Sequence, residues 1–243
     1  MLRHFKADLH IHTCLSPCTE LDMSPREIVT KAMKKNMDII GICDHNSSEN
    51  SLAVIMSAKN KDINVLPGME VTSQEEVHVL ALFDDIENAL RLQDHIYNNL
   101  PGENDEEAFG MQVIVNENGE VSGFNNKLLI GATTIPLDEV IRIIHLFKGI
   151  AIASHIDRES FSIIGQLGFI PDQIELDALE ISSNTTFEEA KNLLKNNYPV
   201  TCSSDAHCPD DIGKGSTSFL LEEGTVAEIK KALKNEEGRK LIN

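Results

Sequence analysis

The stretch Lys6-Ala7-Asp8-Leu9-His10-Ile11-His12 decides how the chain is read. His10 and His12 are two residues apart, so in an extended strand both imidazoles leave the same face, while Leu9 and Ile11 leave the other and pack. Similar short β-rich runs recur at Asp38–Cys43, Val65–Val71, His78–Phe83, Ile150–His155, Ala178–Ser182 and Val200–Ser204. Helical patterns separate them at Pro25–Lys35, Ile86–Asn99, Leu137–Phe147, Phe187–Asn197 and Thr225–Lys234. Strand-helix alternation of this kind predicts a parallel α/β sheet or barrel. The first helix has a capping box, Ser24-Pro25-Arg26-Glu27, with proline at its first position. Its Ile28, Val29, Ala32 and Met33 are spaced to face the sheet. Thr185 or Thr186 starts the helix at Phe187-Glu188-Glu189.

Histidines and acids fall at the strand ends. Asp44-His45-Asn46 follows the second strand, Gly68-Met69-Glu70 ends the third and His78 opens the fourth. His155-Ile156-Asp157-Arg158 follows the fifth, and Ser204-Asp205-Ala206-His207 closes the seventh. In a parallel barrel, residues just past the C-terminal strand ends converge on one face. Six segments therefore deliver metal-ligand residue types to one place. One such histidine would be an ordinary strand-end residue; the coordinated set predicts a metal site. Imidazole suits zinc, iron and related ions, and a carboxylate such as Glu70 can bridge two of them. His4, His95 and His145 fall outside the strand ends and outside the expected site.

The remaining composition narrows the function. With 243 residues, 41% hydrophobic and 25% charged, the chain reads as one globular domain. No apolar run is long enough to span a membrane, and no apolar segment follows the charged start Met1–Lys6 as a signal peptide requires. Five cysteines, an odd number, argue for a reducing, cytoplasmic setting. Cys43 and Cys202 read as core residues, while Cys14 and Cys208 flank the site. The net charge of −18, with two Tyr and no Trp, disfavours a long nucleic acid track. It leaves a small phosphorylated substrate, a nucleotide or a short oligonucleotide open, because bound metals make a site locally positive. Residues 101–135 break the alternation and read as an insertion, a lid or a plain connection, with a hairpin turning at Asn118-Gly119. Oligomeric state is not legible.

The motifs Asp8-Leu-His-Ile-His12, Asp44-His45, Glu70, His155 and Ser204-Asp-Ala-His207 resemble those of the PHP (polymerase and histidinol phosphatase) family, from residue 6 to about 220. The resemblance implies a distorted seven-stranded (β/α) barrel with two or three divalent ions, zinc, iron or manganese, at the C-terminal strand ends. It implies hydrolysis of phosphate esters of a small metabolite or nucleotide by a metal-activated hydroxide; exonuclease action on short RNA or DNA ends and a non-catalytic metal-binding module are the alternatives. It puts His10, His12, Glu70 and Asp205 around a first metal, Glu70, His78 and His155 around a second, and His45 and His207 around a third. Asp8 and Asp44 would orient the histidines, and Asp44, with Arg158, would belong to the catalytic residues. The sequence departs from the family where another ligand to the third metal usually stands: the positions are Pro17 and Cys18. Cys18 would bind as a thiolate and make that site softer; Glu20 or Asp22 would be substitutes. Arg158, and less so Lys214, would contact phosphate, and Ser183, Asn184 and Ser204 would hydrogen-bond substrate.

Overall fold

The computed structural model describes residues 1–193 and 198–242. All seven expected strands form: β1 (Arg3–Ile11), β2 (Ile39–Ile42), β3 (Asn64–Thr72), β4 (His78–Leu82), β7 (Ile150–Ala153), β8 (Ala178–Ile181) and β9 (Val200–Cys202). They lie in a nine-stranded sheet, in the order β11-β10-β1-β2-β3-β4-β7-β8-β9. The additional strands are β10 (Thr217–Leu221), antiparallel to β1, and β11 (Lys240–Ile242) beside it. The sheet curls until its two flanks meet. Ile11 forms a parallel bridge with Ala206, beyond β9, and the Thr217 hydroxyl donates to the Cys202 carbonyl at 2.9 Å.

One strand departs from the expected parallel pattern. β4 runs antiparallel to both β3 and β7, with Thr72 opposite His78 and Glu70 opposite Leu80. A short turn joins β3 to β4, and an antiparallel pair needs no helical crossover. The reversal has a functional result. The N-terminal residue of β4, His78, arrives at the rim where the other strands end.

Helices cover the outside of the sheet: α1 (Pro25–Lys34), α2 (Ser51–Ala58), α3 (Ile86–Tyr97), α5 (Leu137–Leu146), α7 (Phe187–Leu193) and α8 (Val226–Leu233). Two short helices, α4 (Glu106–Phe109) and α6 (Ile163–Leu167), lie in connections. Ser24 caps α1, accepting from the Glu27 N–H at 3.5 Å, and buries Ile28, Val29 and Ala32; Met33, expected on that face, is 41% exposed. Thr186 caps α7 through a reciprocal pair with Glu189, and residues 194–197 of the expected helix lie outside the described residues. No helix among the described residues is long and apolar enough to cross a membrane.

The stretch 101–135 lies outside the main sheet. Its hairpin, β5 (Val113–Val115) and β6 (Val121–Phe124), turns through Asn116–Glu120, with Gly119 at φ +82°. Asn50, between β2 and α2, fastens it by donating to the Val113 carbonyl and accepting from the Val115 N–H, each at 3.0 Å. Cys14 packs against Val113 and Val115. Asn46 donates to the carbonyls of Leu129 and Gly131 at 2.8 Å each, which holds Ile130 at the edge of the site.

Candidate metal centre

Six histidines (His10, His12, His45, His78, His155 and His207), Glu70, Asp205 and Cys18 meet at one rim of the sheet. Glu70 is central. Its Oε1 lies 2.9 Å from His78 Nδ1, 3.2 Å from His155 Nε2 and 3.5 Å from His10 Nε2. Its Oε2 lies 3.2 Å from His45 Nδ1 and 3.6 Å from His12 Nε2. On the other side, Asp205 Oδ1 is 3.2 Å from His10 Nε2 and 3.1 Å from His12 Nε2. The His10 and His12 Nε2 atoms are 3.1 Å apart, as one strand face requires. Three groups have ligand atoms close enough to share an ion: His10, His12 and Asp205; His45, Glu70 and His78; and His12, Cys18, His45 and His207.

The backbone is bent to make these meetings. His155 has φ +29°, Asp205 φ +50° and Asn46 φ +51°. Side chains other than glycine rarely occupy this region, and such conformations persist where the surroundings hold them. At Asn46 the holding groups are the Glu70 carbonyl, which accepts its N–H at 2.9 Å, and the Thr72 N–H, which donates to its side chain at 3.0 Å.

Several buried polar atoms here face one another without a hydrogen bond, among them His45 Nδ1, His78 Nδ1 and Glu70 Oε1. Burial without a partner costs about 1–3 kcal/mol per group. A cation among them would satisfy nitrogen and oxygen lone pairs together, so the residues present fit divalent metals. Titration points the same way. Burial opposes a charge on His10 and His45, yet Asp205, Glu180 and Glu70 lift His10 well above its ordinary value, and Cys18 and Glu70 lift His45 to about 10. Burial likewise opposes ionisation of Glu70, but His78 and His10 hold it well below the usual carboxylate range. The carboxylates thus demand positive charge, supplied by protons or by metal ions. His12 goes the other way: burial, then repulsion from His207 and His45, keeps it neutral, as a ligand must be.

Cys18 is the third-site residue singled out from sequence, and it falls within this cluster. Burial would raise its thiol, but contacts from His207 and His45 bring it down to about 7. Glu20 and Asp22 are exposed and outside the cluster. Cys14 is buried with its thiol pushed up to about 12 by desolvation and then by Asp44. Cys43 and Cys202 are buried, as expected.

Supporting residues differ from expectation. Asp8 reaches no histidine: its carboxylate accepts from the Ser204 N–H at 3.0 Å and the Gly213 N–H at 2.8 Å, pinning the loop after β9. Asp44 acts on His12 through an intermediary, since Ser16 Oγ donates to Asp44 at 2.6 Å and lies 2.9 Å from His12 Nδ1. Two backbone and hydroxyl bonds from Thr13 complete its shell, so Asp44 positions His12 and does not face the cavity. Glu180, not singled out from sequence, orients His10 directly, 2.9 Å from its Nδ1. The available signal was a lone acid in the centre of the apolar run Ala178–Ser182, where burial is costly unless paired. Asp157 faces away and accepts from Ser182 and Thr185.

A cavity of about 210 Å³ opens over this cluster, lined by Glu70, four of the histidines, Cys18 and Asp205, with Ile130, Arg158, Ser160 and Phe161 around its mouth. Arg158 pairs with Asp205 Oδ2 at 2.5 Å and keeps 44% of its side chain exposed. Lys214 instead pairs with Asp211, Ser183 and Asn184 are exposed outside the cavity, and Ser204 Oγ donates to the His10 carbonyl.

Fold and donor set define a class of α/β protein that gathers imidazoles and carboxylates at one rim of a curled sheet to hold metal ions. Residues 8–198 match the PHP domain model and residues 187–237 the PHP-associated model, and the chain belongs to the PHP family. A relative is an uncharacterized protein of Methanocaldococcus jannaschii, 31% identical over 100 residues, which are 37% of this chain and 58% of that one. In structure the chain is similar to the lesion-specific endonuclease PfuEndoQ of Pyrococcus furiosus, with TM-score 0.77 and 18% identity over 98% of this chain and 58% of that one. It is also similar to an endonuclease Q complexed with a 27-mer duplex bearing an abasic lesion at the active site, with TM-score 0.71, 17% identity and the same coverage. A protein of Bifidobacterium adolescentis assigned as a metal-dependent phosphoesterase matches at TM-score 0.56 and 20% identity, over 95% of this chain and 96% of that one. The chain thus spans 58% of the length of both endonuclease chains and of the archaeal relative.

Proposed function

We propose that the chain is a metal-dependent phosphoesterase that hydrolyses a phosphate ester of a nucleotide or other small phosphorylated compound at this cavity. The observation that carries it is the convergence of unpartnered ring nitrogens and carboxylate oxygens around Glu70, with a guanidinium at the cavity mouth. His10, His12 and Asp205 would hold one ion, Glu70 with His78 and His155 a second, and His45, His207 and Cys18 a third. Bound divalent ions, zinc, iron or manganese, supply charge to phosphoryl oxygens and lower the pKa of water.

The chain's own residues do the rest. Glu180 fixes His10 with Nε2 toward Glu70 and Asp205, and the Ser16–Asp44 pair does the same for His12. Arg158 is placed to turn from Asp205 to a substrate phosphate, for which its planar donors suit bidentate contact. The cavity, at about 210 Å³, is smaller than the roughly 300–1,000 Å³ that encloses a drug-sized ligand. It therefore takes in the phosphate and its nearest groups and leaves the remainder of a larger substrate outside. This feature and the likeness to endonuclease Q favour a second reading, cleavage within or at the end of a nucleic acid strand.

The test is turnover of a phosphomonoester panel beside 5′-labelled oligonucleotides, by protein loaded in turn with zinc, iron and manganese. We expect cleavage of at least one class and its loss, by a thousandfold or more on the order of removing a central catalytic group, in a folded Glu70→Ala protein. Undiminished turnover in that variant would sink the mechanism.

A further inference from the structure

The cavity has a charged floor and an apolar rim, and the rim is not explained by metal binding. Phe161 is 39% exposed and Ile130 36% exposed, both at the mouth of a cavity whose other lining residues, Ser160 apart, are ionisable. Each is held by a candidate ligand or its chain neighbour. The Phe161 carbonyl accepts the His78 N–H at 2.8 Å, and its ring stacks on the His78 imidazole with centroids 4.7 Å apart and planes 16° apart. Phe161 adopts φ +59°, a strained conformation for an aromatic residue, at the end of a tight turn closed by the Ser162 hydroxyl on the Arg158 carbonyl at 2.5 Å. That turn presents Arg158 and Phe161 to the same cavity. Ile130 is fixed by the two bonds from Asn46.

An exposed phenyl ring beside a guanidinium suits a ligand with a planar ring next to a phosphate. We propose that Phe161, with Ile130, is a specificity-determining wall that stacks the nucleobase of a substrate whose phosphate is held over the metal cluster. Phe161 selects nucleotide esters over phosphate esters lacking a base. This rests on the phosphoesterase reading for its catalytic consequence, but base binding is measurable without turnover. A mononucleotide and a strand end present the same ring beside a phosphate, so the two are separate arms of the test.

Metal-loaded wild type, Phe161→Leu and Phe161→Trp proteins are compared on a nucleoside monophosphate, a dinucleotide and ribose 5-phosphate, by calorimetric binding and by kcat and KM. Stacking on one base is worth about five- to hundredfold in affinity. Phe161→Leu should weaken nucleotide binding and raise its KM within that range, with a loss at least tenfold smaller on ribose 5-phosphate. Phe161→Trp should retain the preference. Loss confined to the mononucleotide or to the dinucleotide identifies the source of the base. Equal losses on nucleotide and ribose esters would overturn the proposal and leave Phe161 as packing for His78. Base-dependent binding without turnover of any ester would defeat the phosphoesterase reading and leave the wall in place.

Discussion

At the level of single residues, His10 and His12 depend on second groups that turn their rings, Glu180 for the one and the Ser16–Asp44 pair for the other. Nine of the side chains at the rim declare themselves because histidine, carboxylate and thiol are costly to bury without a common purpose. Their orienters are ordinary-looking: Ser16 is one hydroxyl in a loop and Glu180 one acid in an apolar strand. Glu180→Ala removes the group that keeps His10 Nε2 turned to Glu70 and Asp205. Loss of such a partner typically lowers metal affinity by about 10–100-fold. Competition with a chelating dye should find that loss at the ion held by His10. An unchanged affinity would show that the strand alone orients the ring. Cys18 illustrates a limit of another kind: its sequence position named it as a ligand candidate, but only the fold shows His45 and His207 beside it.

At the level of elements, alternation of strand and helix predicted the seven central strands, while direction was beyond it. Val77–Phe83 has the composition of any buried strand, and antiparallel β4 differs from a parallel one only in the short connection before it. The outer pair β10 and β11 was missed because Thr217–Leu221 and Lys240–Ile242 follow the last recognisable ligand motif. Away from the site, α5 and β7 are tied together by Asp177, which accepts from the Ala151 N–H at 2.9 Å and lies 2.8 Å from His145 Nε2. Burial alone would raise this carboxyl, but His145 and the Ala151 N–H hold it below the usual value. A depressed folded pKa means stability that is present above the unfolded value, near 4, and lost as pH falls through the folded one. Asp177→Ala should therefore destabilise the protein by about 1–3 kcal/mol at pH 7, the worth of hydrogen bonds to a charged acceptor. The gap between variant and wild type should narrow below pH 4. Denaturant melts at both pH values decide it; a gap independent of pH would mean that Asp177 contributes packing and no charge.

At the level of the whole molecule, the acidic surface and the cationic demand of the rim coexist because the metals would be local and the net charge of −18 is spread over the chain. A protein that grips nucleic acid along a basic groove loses affinity steeply with salt, with a slope set by the number of phosphates it neutralises. Here any short oligonucleotide should bind with an apparent KM that stays level or improves between 50 and 200 mM salt, roughly the range over which basic tracks fail. A thousandfold loss across that range would reveal a track and shift the substrate toward long strands. The reversed strand β4 also has a consequence in time. Glu70 and His78 sit on adjacent strands joined by a few residues, and His45 bridges to Glu70 from just past the end of β2, whereas His12 must wait for Asp205, 193 residues later. Local pairings form sooner than distant ones. Once the residues up to His78 are free to pair, the folding chain therefore owns a partial cage for a cation, and an ion there can serve as a seed around which the rest of the sheet closes.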